Sequence, residues 1–280
     1  MLRVNLWDSA FSHLANSEGS YSMVHKKIPN NIRYDCKLTN YDGVTIFTDS
    51  FCNRSAISNV DSKLKIGWLL ENRSLVPNAY NNIASYIDLL DFVFTNDEIL
   101  LKNYPKKAKF VPFGGAWVKK ENFGLHKKTK LVSIIYSHKK GPHEGYRLRH
   151  DLANRYSHIL DLFGNGSPNP IEYKEEALVD YMFTIVIENV SDKNYFTEKI
   201  IDPLLTGTIP IYWGCPNIDN YFNMSGFINL DVENIDSILN SLDGELYDSM
   251  ISIASKNYNE ALNYEITEDW IYNNILKEIL

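Results

Sequence analysis

Short apolar runs alternate along the chain with segments in which apolar residues recur every three or four positions. Short runs of this kind are typical of buried strands, and the longer spacing is typical of amphipathic helices. The alternation of the two predicts an α/β protein with parallel sheets. The apolar runs predict strands at residues 2–7, 44–48, 65–70, 91–95, 109–112, 131–137, 159–163, 183–187, 209–213 and 227–230.

The helical spacing predicts helices at 80–90 and 97–104, and another that carries Leu148, Leu152 and Tyr156 on one face. A short helix is expected at 175–181, and further helices lie near 235–242 and 250–258. The last segment, 267–280, begins with Thr267 as a capping residue. Between the two groups of strands, Gly114-Gly115 and the charged stretch 119–130 indicate a connection between domains.

The unit at 183–216 has its polar residues where a strand ends and a helix begins. Its first strand is followed directly by Glu188-Asn189, and Thr197 is a candidate N-cap that leaves Lys199 in the first helical turn. Ligands of parallel sheets bind beyond the carboxyl ends of the strands. Lysine is normally disfavoured at the positive end of a helix, so its presence there indicates a bound anion such as a diphosphate. Pro203 either kinks this helix or stands at N1 of a helix that begins at Asp202.

A resemblance to a known family rests on the same unit. Its residues are Glu188-Asn189, Tyr195-x-Thr197-Glu198-Lys199 and Ile209-Pro210-Ile211-Tyr212-Trp213-Gly214-x-Pro216. This pattern resembles the donor-binding signature of the α-1,3-fucosyltransferase family, glycosyltransferase family 10, over residues 131–231. The resemblance implies the GT-B architecture, two Rossmann-like domains facing a cleft. It also implies an inverting transfer of fucose from GDP-fucose to a saccharide hydroxyl.

The resemblance also implies the domain roles and the donor-binding residues. We expect an N-terminal acceptor-side domain at 1–118, a nucleotide-sugar-binding domain at 119–266, and a helix at 267–280 that packs back on the first domain. Arg147 matches the family arginine that contacts the diphosphate, and Arg149 is its close competitor. The other expected donor-binding residues are Ser137, His138, Glu188, Asn189, Tyr195, Thr197, Glu198 and Lys199.

A catalytic base is expected from the N-terminal domain. Glu71 follows the strand at 65–70, and an apolar strand beside a carboxyl raises its pKa by desolvation. The family resemblance implies an acid at this point as well. Two alternatives are an acid in the first turn of a helix and a salt bridge to Arg73.

Composition and charge narrow the classes of partner. The net charge of -7 argues against a nucleic-acid partner. The three cysteines lack CxxC spacing and indicate a reducing compartment. With no secretory signal or membrane span visible, we expect a cytoplasmic protein of a bacterium or of a virus-infected host cell. His138 and His143 lack a third metal ligand at suitable spacing, and no DxD motif is present, so no metal site and no bound cofactor are expected.

Two other functions stay open at this point. The same fold could use a different GDP-sugar as donor. A catalytically inactive saccharide-binding module is the other alternative, but it would need no diphosphate site. The combination of Arg147, Lys199 and Tyr195 therefore favours the enzyme. Glu198 and Lys199 could also be ordinary solvated residues on a connecting loop.

Overall fold

The structure, a computed structural model, describes residues 1–8, 22 and 27–280. These residues form two compact units. The first unit comprises Met1–Phe113, Lys193–Tyr195 and Ile266–Leu280, and the second comprises Gly114–Asp192 and Phe196–Glu265. Each unit contains its own parallel sheet with helices packed on it, as the alternation of apolar runs and helical segments predicts.

The first unit is built on a six-stranded sheet in the order β2-β1-β3-β4-β5-β6, and every described pairing is parallel. Adjacent residues of a strand point to opposite faces, so Ile46 and Phe47 enter two separate apolar clusters. The strands are β1 (Leu2–Trp7), β2 (Ile32–Cys36), β3 (Asn40–Thr48), β4 (Asp61–Leu69), β5 (Phe92–Thr95) and β6 (Ala108–Phe110). β2 is missing from the sequence prediction because this edge strand alternates polar and apolar residues and contains no apolar run.

The helices of the first unit are short: α1 (Arg54–Ser58), α2 (Pro77–Asn81) and α3 (Glu98–Asn103). The helix predicted at 80–90 is wrong, since α2 is followed by two 3₁₀ turns at Ile83–Ser85 and Ile87–Leu89. The C-terminal helical segment is built from Thr267–Ile271, Tyr272–Leu276 and Lys277–Ile279. Its residues Ile271, Ile275 and Leu276 pack into the cluster that contains Val4 and Leu6.

Thr267 does not cap the C-terminal helical segment. Ile266 occupies the N-cap position, and its side chain makes no capping hydrogen bond. The Thr267 hydroxyl instead donates a hydrogen bond to the carbonyl oxygen of Phe113. The prediction that Thr267 caps the helix is therefore wrong, because its hydroxyl donates to a carbonyl oxygen outside the helix.

The second unit contains a five-stranded sheet in the order β11-β10-β9-β7-β8. Its described strands are β7 (Lys130–Ile135), β8 (Asp161–Phe163), β9 (Tyr181–Ile187), β10 (Ile209–Trp213) and β11 (Ile228–Asn229). The chain runs from β7 to β8 on one side and then to β9 on the other. This reversal of direction beside β7 is a topological switch point, where crevices open at the carboxyl ends of the strands.

The main helices of the second unit are α4 (Glu144–Arg155), α5 (Glu198–Leu205), α6 (Ile235–Asn240) and α7 (Gly244–Leu262). α5 begins at Glu198 and contains Pro203 in its interior, so no helix begins at Asp202. Where a helix was expected at 175–181, the chain forms a 3₁₀ turn, Lys174–Ala177, before β9 begins.

The start of α4 lies against the strand end that carries Glu188 and Asn189. The amide of Gly145 donates to the carbonyl oxygen of Asn189 at 3.2 Å. A Cβ added at Gly145 would overlap the carbonyl oxygen of Glu188. Only glycine therefore permits this approach of helix to strand end.

We expect Gly145→Ala to destabilise the second unit by roughly 3 kcal/mol, because a backbone atom would have to move. Gly244→Ala is the matched control, since its added Cβ would meet only the Met182 Cε, at 3.9 Å. Chemical unfolding of both variants and the parent measures the difference. Equal unfolding free energies for the two variants would show that the helix start tolerates displacement.

Candidate functional site

A cavity of about 370 Å³ lies in the second unit at the carboxyl ends of β7, β8 and β9. Its position is the switch point beside β7, and its volume lies within the range of small-molecule sites. Strand ends supply part of the wall, and the first turns of α4 and α5 supply another part. The polar and glycine residues of its lining are Tyr136, Ser137, Lys139, Tyr146, Arg149, Gly164, Asn165, Glu172, Lys174, Thr184, Asn189, Glu198, Lys199 and Asp202.

Glu188 is fully buried and does not belong to the cavity lining, although its neighbours Ile187 and Asn189 do. One carboxylate oxygen accepts from the Thr197 amide at 2.8 Å, and the other accepts from the Thr197 hydroxyl at 2.8 Å. The Lys199 Nζ lies 3.6 Å from the second oxygen. Both oxygens of Glu188 are thus occupied inside the protein, and the carboxylate fixes the start of α5.

Lys199 stands in the first turn of α5 and lines the cavity. Thr197 is the N-cap of this helix, as predicted, and its hydroxyl oxygen accepts from the Lys199 amide. The Lys199 Nζ donates to the same hydroxyl oxygen at 3.0 Å and lies 3.6 Å from Glu198 Oε1. This ammonium and the start of α5 both present positive charge to the cavity.

A second ammonium group approaches Glu198 from the turn before β9. The Lys174 Nζ lies 3.4 Å from Glu198 Oε1 and 2.7 Å from Asp202 Oδ2. Although burial acts in the opposite direction, the ammonium groups of Lys199 and Lys174 lower the pKa of Glu198 to about 2. Lys174 and Asp202 are absent from the predicted site residues, because 28 positions separate them in the sequence and no local pattern connects them.

Arg149 is the arginine at the cavity. The residue is 7% exposed. Its guanidinium donates to Asn189 Oδ1 at 2.6 Å and to the Gly145 carbonyl at 3.1 Å, and it lies over the Tyr146 ring. Arg147, which the sequence favours, is exposed and lies outside the cavity lining. Two positions along a helix turn the side chain by roughly 200°, so the two arginines occupy opposite faces.

The remaining predicted donor-binding residues divide into two groups. Ser137 and Asn189 line the cavity. His138 is exposed and Thr197 is buried, and neither lines the cavity. Tyr195 belongs to the first unit. The cavity therefore brings together Ser137, Arg149, Asn189, Glu198 and Lys199.

Glu71, the expected base, lies in the first unit just after β4. The Tyr195 hydroxyl donates to its Oε2 at 3.3 Å, and the Tyr80 hydroxyl donates to its carbonyl oxygen at 2.7 Å. Asp49 accepts from the backbone amides of Leu70 and Glu71 at 2.9 and 3.4 Å. The position of Glu71 is thus fixed through its amide, its carbonyl and its carboxylate.

Asp49 is a second acid beside Glu71 that the sequence did not mark as functional. Its backbone φ of 32° lies in the left-handed region, which is uncommon for a residue with a side chain. Burial, together with the charge of Glu71, raises the pKa of Asp49 to about 7. Strained backbone and shifted pKa values are both concentrated at functional sites.

Arg73 forms a two-bond ion pair with Asp97, with distances of 2.8 and 2.9 Å. Within the described part of the chain, no group of three or more His, Cys, Asp or Glu side chains is arranged to hold a metal ion. Over the same residues, no helix combines the length and apolar character needed to span a membrane.

Comparison with known proteins identifies the second unit. Residues 125–246 match the family model "Glycosyltransferase family 10 (fucosyltransferase) C-term". The alpha-(1,3)-fucosyltransferase FucT of Helicobacter pylori is 34% identical over 118 residues, which cover 40% of this chain and 24% of that protein. The chain spans less than half the length of the first curated relatives it matches.

Solved structures extend the likeness to the first unit. A crystal structure of an α1,3-fucosyltransferase matches 96% of this chain and 91% of that chain, with a TM-score of 0.58 and 16% identity. A crystal structure of α1,3-fucosyltransferase with GDP matches 99% of this chain and 88% of that chain, with a TM-score of 0.54 and 16% identity. The match confirms the predicted fold class, GT-B with two Rossmann-like domains. Over residues 125–246 the chain therefore matches the C-terminal domain of glycosyltransferase family 10 (fucosyltransferase).

Proposed function

We propose that this protein transfers fucose from GDP-fucose to a hydroxyl of a saccharide, with inversion at the anomeric carbon. The observation that carries the proposal is the cavity of the family 10 domain, whose wall presents Arg149 and Lys199 beside the first turns of two helices. A structural neighbour is described with GDP, which supports a guanine nucleotide as the ligand.

Arg149 and Lys199 are proposed to hold the diphosphate. A guanidinium presents a planar fork that can bind two phosphate oxygens at once, and an ammonium acts as a point charge. As the sugar leaves, negative charge grows on the diphosphate. Preorganised donors aimed at that charge contribute roughly 2–4 kcal/mol each to lowering the barrier.

Glu198 is proposed to hold hydroxyl groups of the donor. With its pKa at about 2 the carboxylate is ionised at neutral pH and can only accept hydrogen bonds. Sugar and ribose hydroxyls are suitable donors to it. Glu188, the other acid expected in this role, uses both oxygens on Thr197, so we assign it to fixing the start of α5.

Glu71 is proposed as the general base, and the first unit is proposed as the acceptor-binding domain. The acceptor hydroxyl must lose its proton as it attacks the anomeric carbon, and a carboxylate positioned by hydrogen bonds can take it. The Tyr195 hydroxyl at 3.3 Å orients the Glu71 carboxylate. Attack opposite to the leaving diphosphate inverts the anomeric configuration.

We further propose that the reaction runs without a metal ion and in the cytoplasm. The cationic side chains of Lys139, Arg149 and Lys199 line the cavity and supply the positive charge that a metal would otherwise bring. The structure contains no disulfide among Cys36, Cys52 and Cys215, which fits a reducing compartment.

The proposal is tested with purified protein, GDP, GDP-fucose and GDP-mannose. We expect GDP to bind in isothermal titration, and GDP to be released from GDP-fucose in EDTA with water or free saccharides as acceptors. Faster release of GDP from GDP-mannose than from GDP-fucose would show that the donor sugar is mannose and not fucose. Absence of GDP binding would remove the transferase assignment.

The assignment of the diphosphate ligand is tested by a pair of arginine variants. Arg149→Gln should weaken GDP binding roughly 10- to 100-fold, since a charge-assisted hydrogen bond to the phosphate is lost. Lys199→Ala should weaken it to a similar extent. Arg147→Gln, two positions away on the exposed face of α4, should leave the affinity within about 2-fold of the parent. A stronger loss in Arg147→Gln than in Arg149→Gln would reverse the assignment.

The base is tested by Glu71→Gln, which keeps the shape of the side chain and removes its basicity. We expect kcat to fall about 10³-fold, within the usual contribution of general-base catalysis, while GDP affinity stays within 2-fold. Glu98→Gln is the control, an acid of the first unit that forms an exposed ion pair with Lys193. If Glu71→Gln retains activity, another acid takes the proton.

A further inference from the structure

Lys174 is a charged residue of the cavity to which the proposed reaction gives no specific part. It begins the 3₁₀ turn Lys174–Ala177, and its side chain is 23% exposed. Its Nζ donates to Asp202 Oδ2 at 2.7 Å and to Glu198 Oε1 at 3.4 Å. Although burial opposes it, these two carboxylates raise the pKa of Lys174, so the amine is charged at neutral pH.

Asp202 fixes Lys174 from within the protein. Its side chain is 1% exposed, and its second oxygen accepts from the backbone amides of Trp117 and Val118 at 2.7 and 3.0 Å. A buried carboxylate with both oxygens engaged has little freedom to move. The Lys174 ammonium, which pairs with this carboxylate, is therefore held in a defined position beside Glu198.

Glu198 receives two ammonium groups at the same oxygen. Lys174 Nζ lies 3.4 Å from Oε1, and Lys199 Nζ lies 3.6 Å from it. Without Lys174, only Lys199 of these two lysines would remain beside Glu198. A tighter pairing of Glu198 with Lys199 would draw that lysine away from a bound anion.

We propose that Lys174 is a positioning residue, which rests on Asp202, holds the Glu198 carboxylate toward the donor hydroxyls, and leaves Lys199 available to the diphosphate. The inference depends on the proposed fucosyl transfer and deepens it, because it assigns the support of the donor-binding acid. Lys174 acts through Glu198 and does not itself bind the donor.

A double-mutant cycle tests this role, with kcat/KM for GDP release from GDP-fucose as the measured quantity. Lys174→Gln and Glu198→Gln should each lower it roughly 10- to 50-fold, and the double variant should be within about 2-fold of Glu198→Gln alone. Lys174→Arg, which keeps the charge, should recover activity to within about 5-fold of the parent. Lys63→Met, which breaks an exposed ion pair with Asp42, should change nothing.

Each outcome decides between the alternatives. If the losses multiply in the double variant, or if Lys174→Arg is as impaired as Lys174→Gln, Lys174 does not act through Glu198. If the parent protein releases no GDP from GDP-fucose, the proposed reaction fails and this inference fails with it. Thermal unfolding verifies that the variants fold, and Lys174→Met supplies a second cycle should Lys174→Gln not fold.

Discussion

The cavity of the second unit depends on the pairing of a fully buried carboxylate with the start of a helix. Glu188 at the end of β9 accepts from the amide and from the hydroxyl of Thr197, both at 2.8 Å. A buried charge without such partners would cost several kcal/mol, so the carboxylate and the helix start must stay together. Gly214 makes the arrangement possible, since an added Cβ there would come within 2.5 Å of Glu188 Cγ.

This pairing places alternating charges along the first turns of α5. Glu188 and Glu198 each lie 3.6 Å from the Lys199 Nζ, and Asp202 holds Lys174 one turn further on. The acids keep the two lysines in place, with both ammonium groups near Glu198 Oε1. In the proposed reaction, Lys199 would not have to reorganise when the leaving diphosphate gains charge, and such preorganisation is the physical basis of electrostatic catalysis.

The sequence predicted those parts of the fold and site that depend on neighbouring residues. The parallel α/β architecture, the N-cap at Thr197 and the position of Lys199 follow from patterns within a few residues. The choice between Arg147 and Arg149 depends on which face of α4 meets the strand end, and a difference of two positions reverses it. Lys174 and Asp202 meet only because the 3₁₀ turn before β9 lies beside α5 in the folded chain.

The carboxyl groups of three acids differ in protonation and in role because their environments differ. Glu188 is buried, accepts hydrogen bonds from Thr197 and has a structural role. Glu198 lies beside two ammonium groups, so its pKa is lowered to about 2 and it stays ionised. Asp49 is buried beside another acid, and its pKa rises to about 7. An acid near that value exchanges its proton at neutral pH, whereas one near 2 serves only as an acceptor. The proposed acid–base role thus falls to Glu71, which lies beside Asp49 in the first unit, and the proposed anchoring of ligand hydroxyls falls to Glu198 in the second.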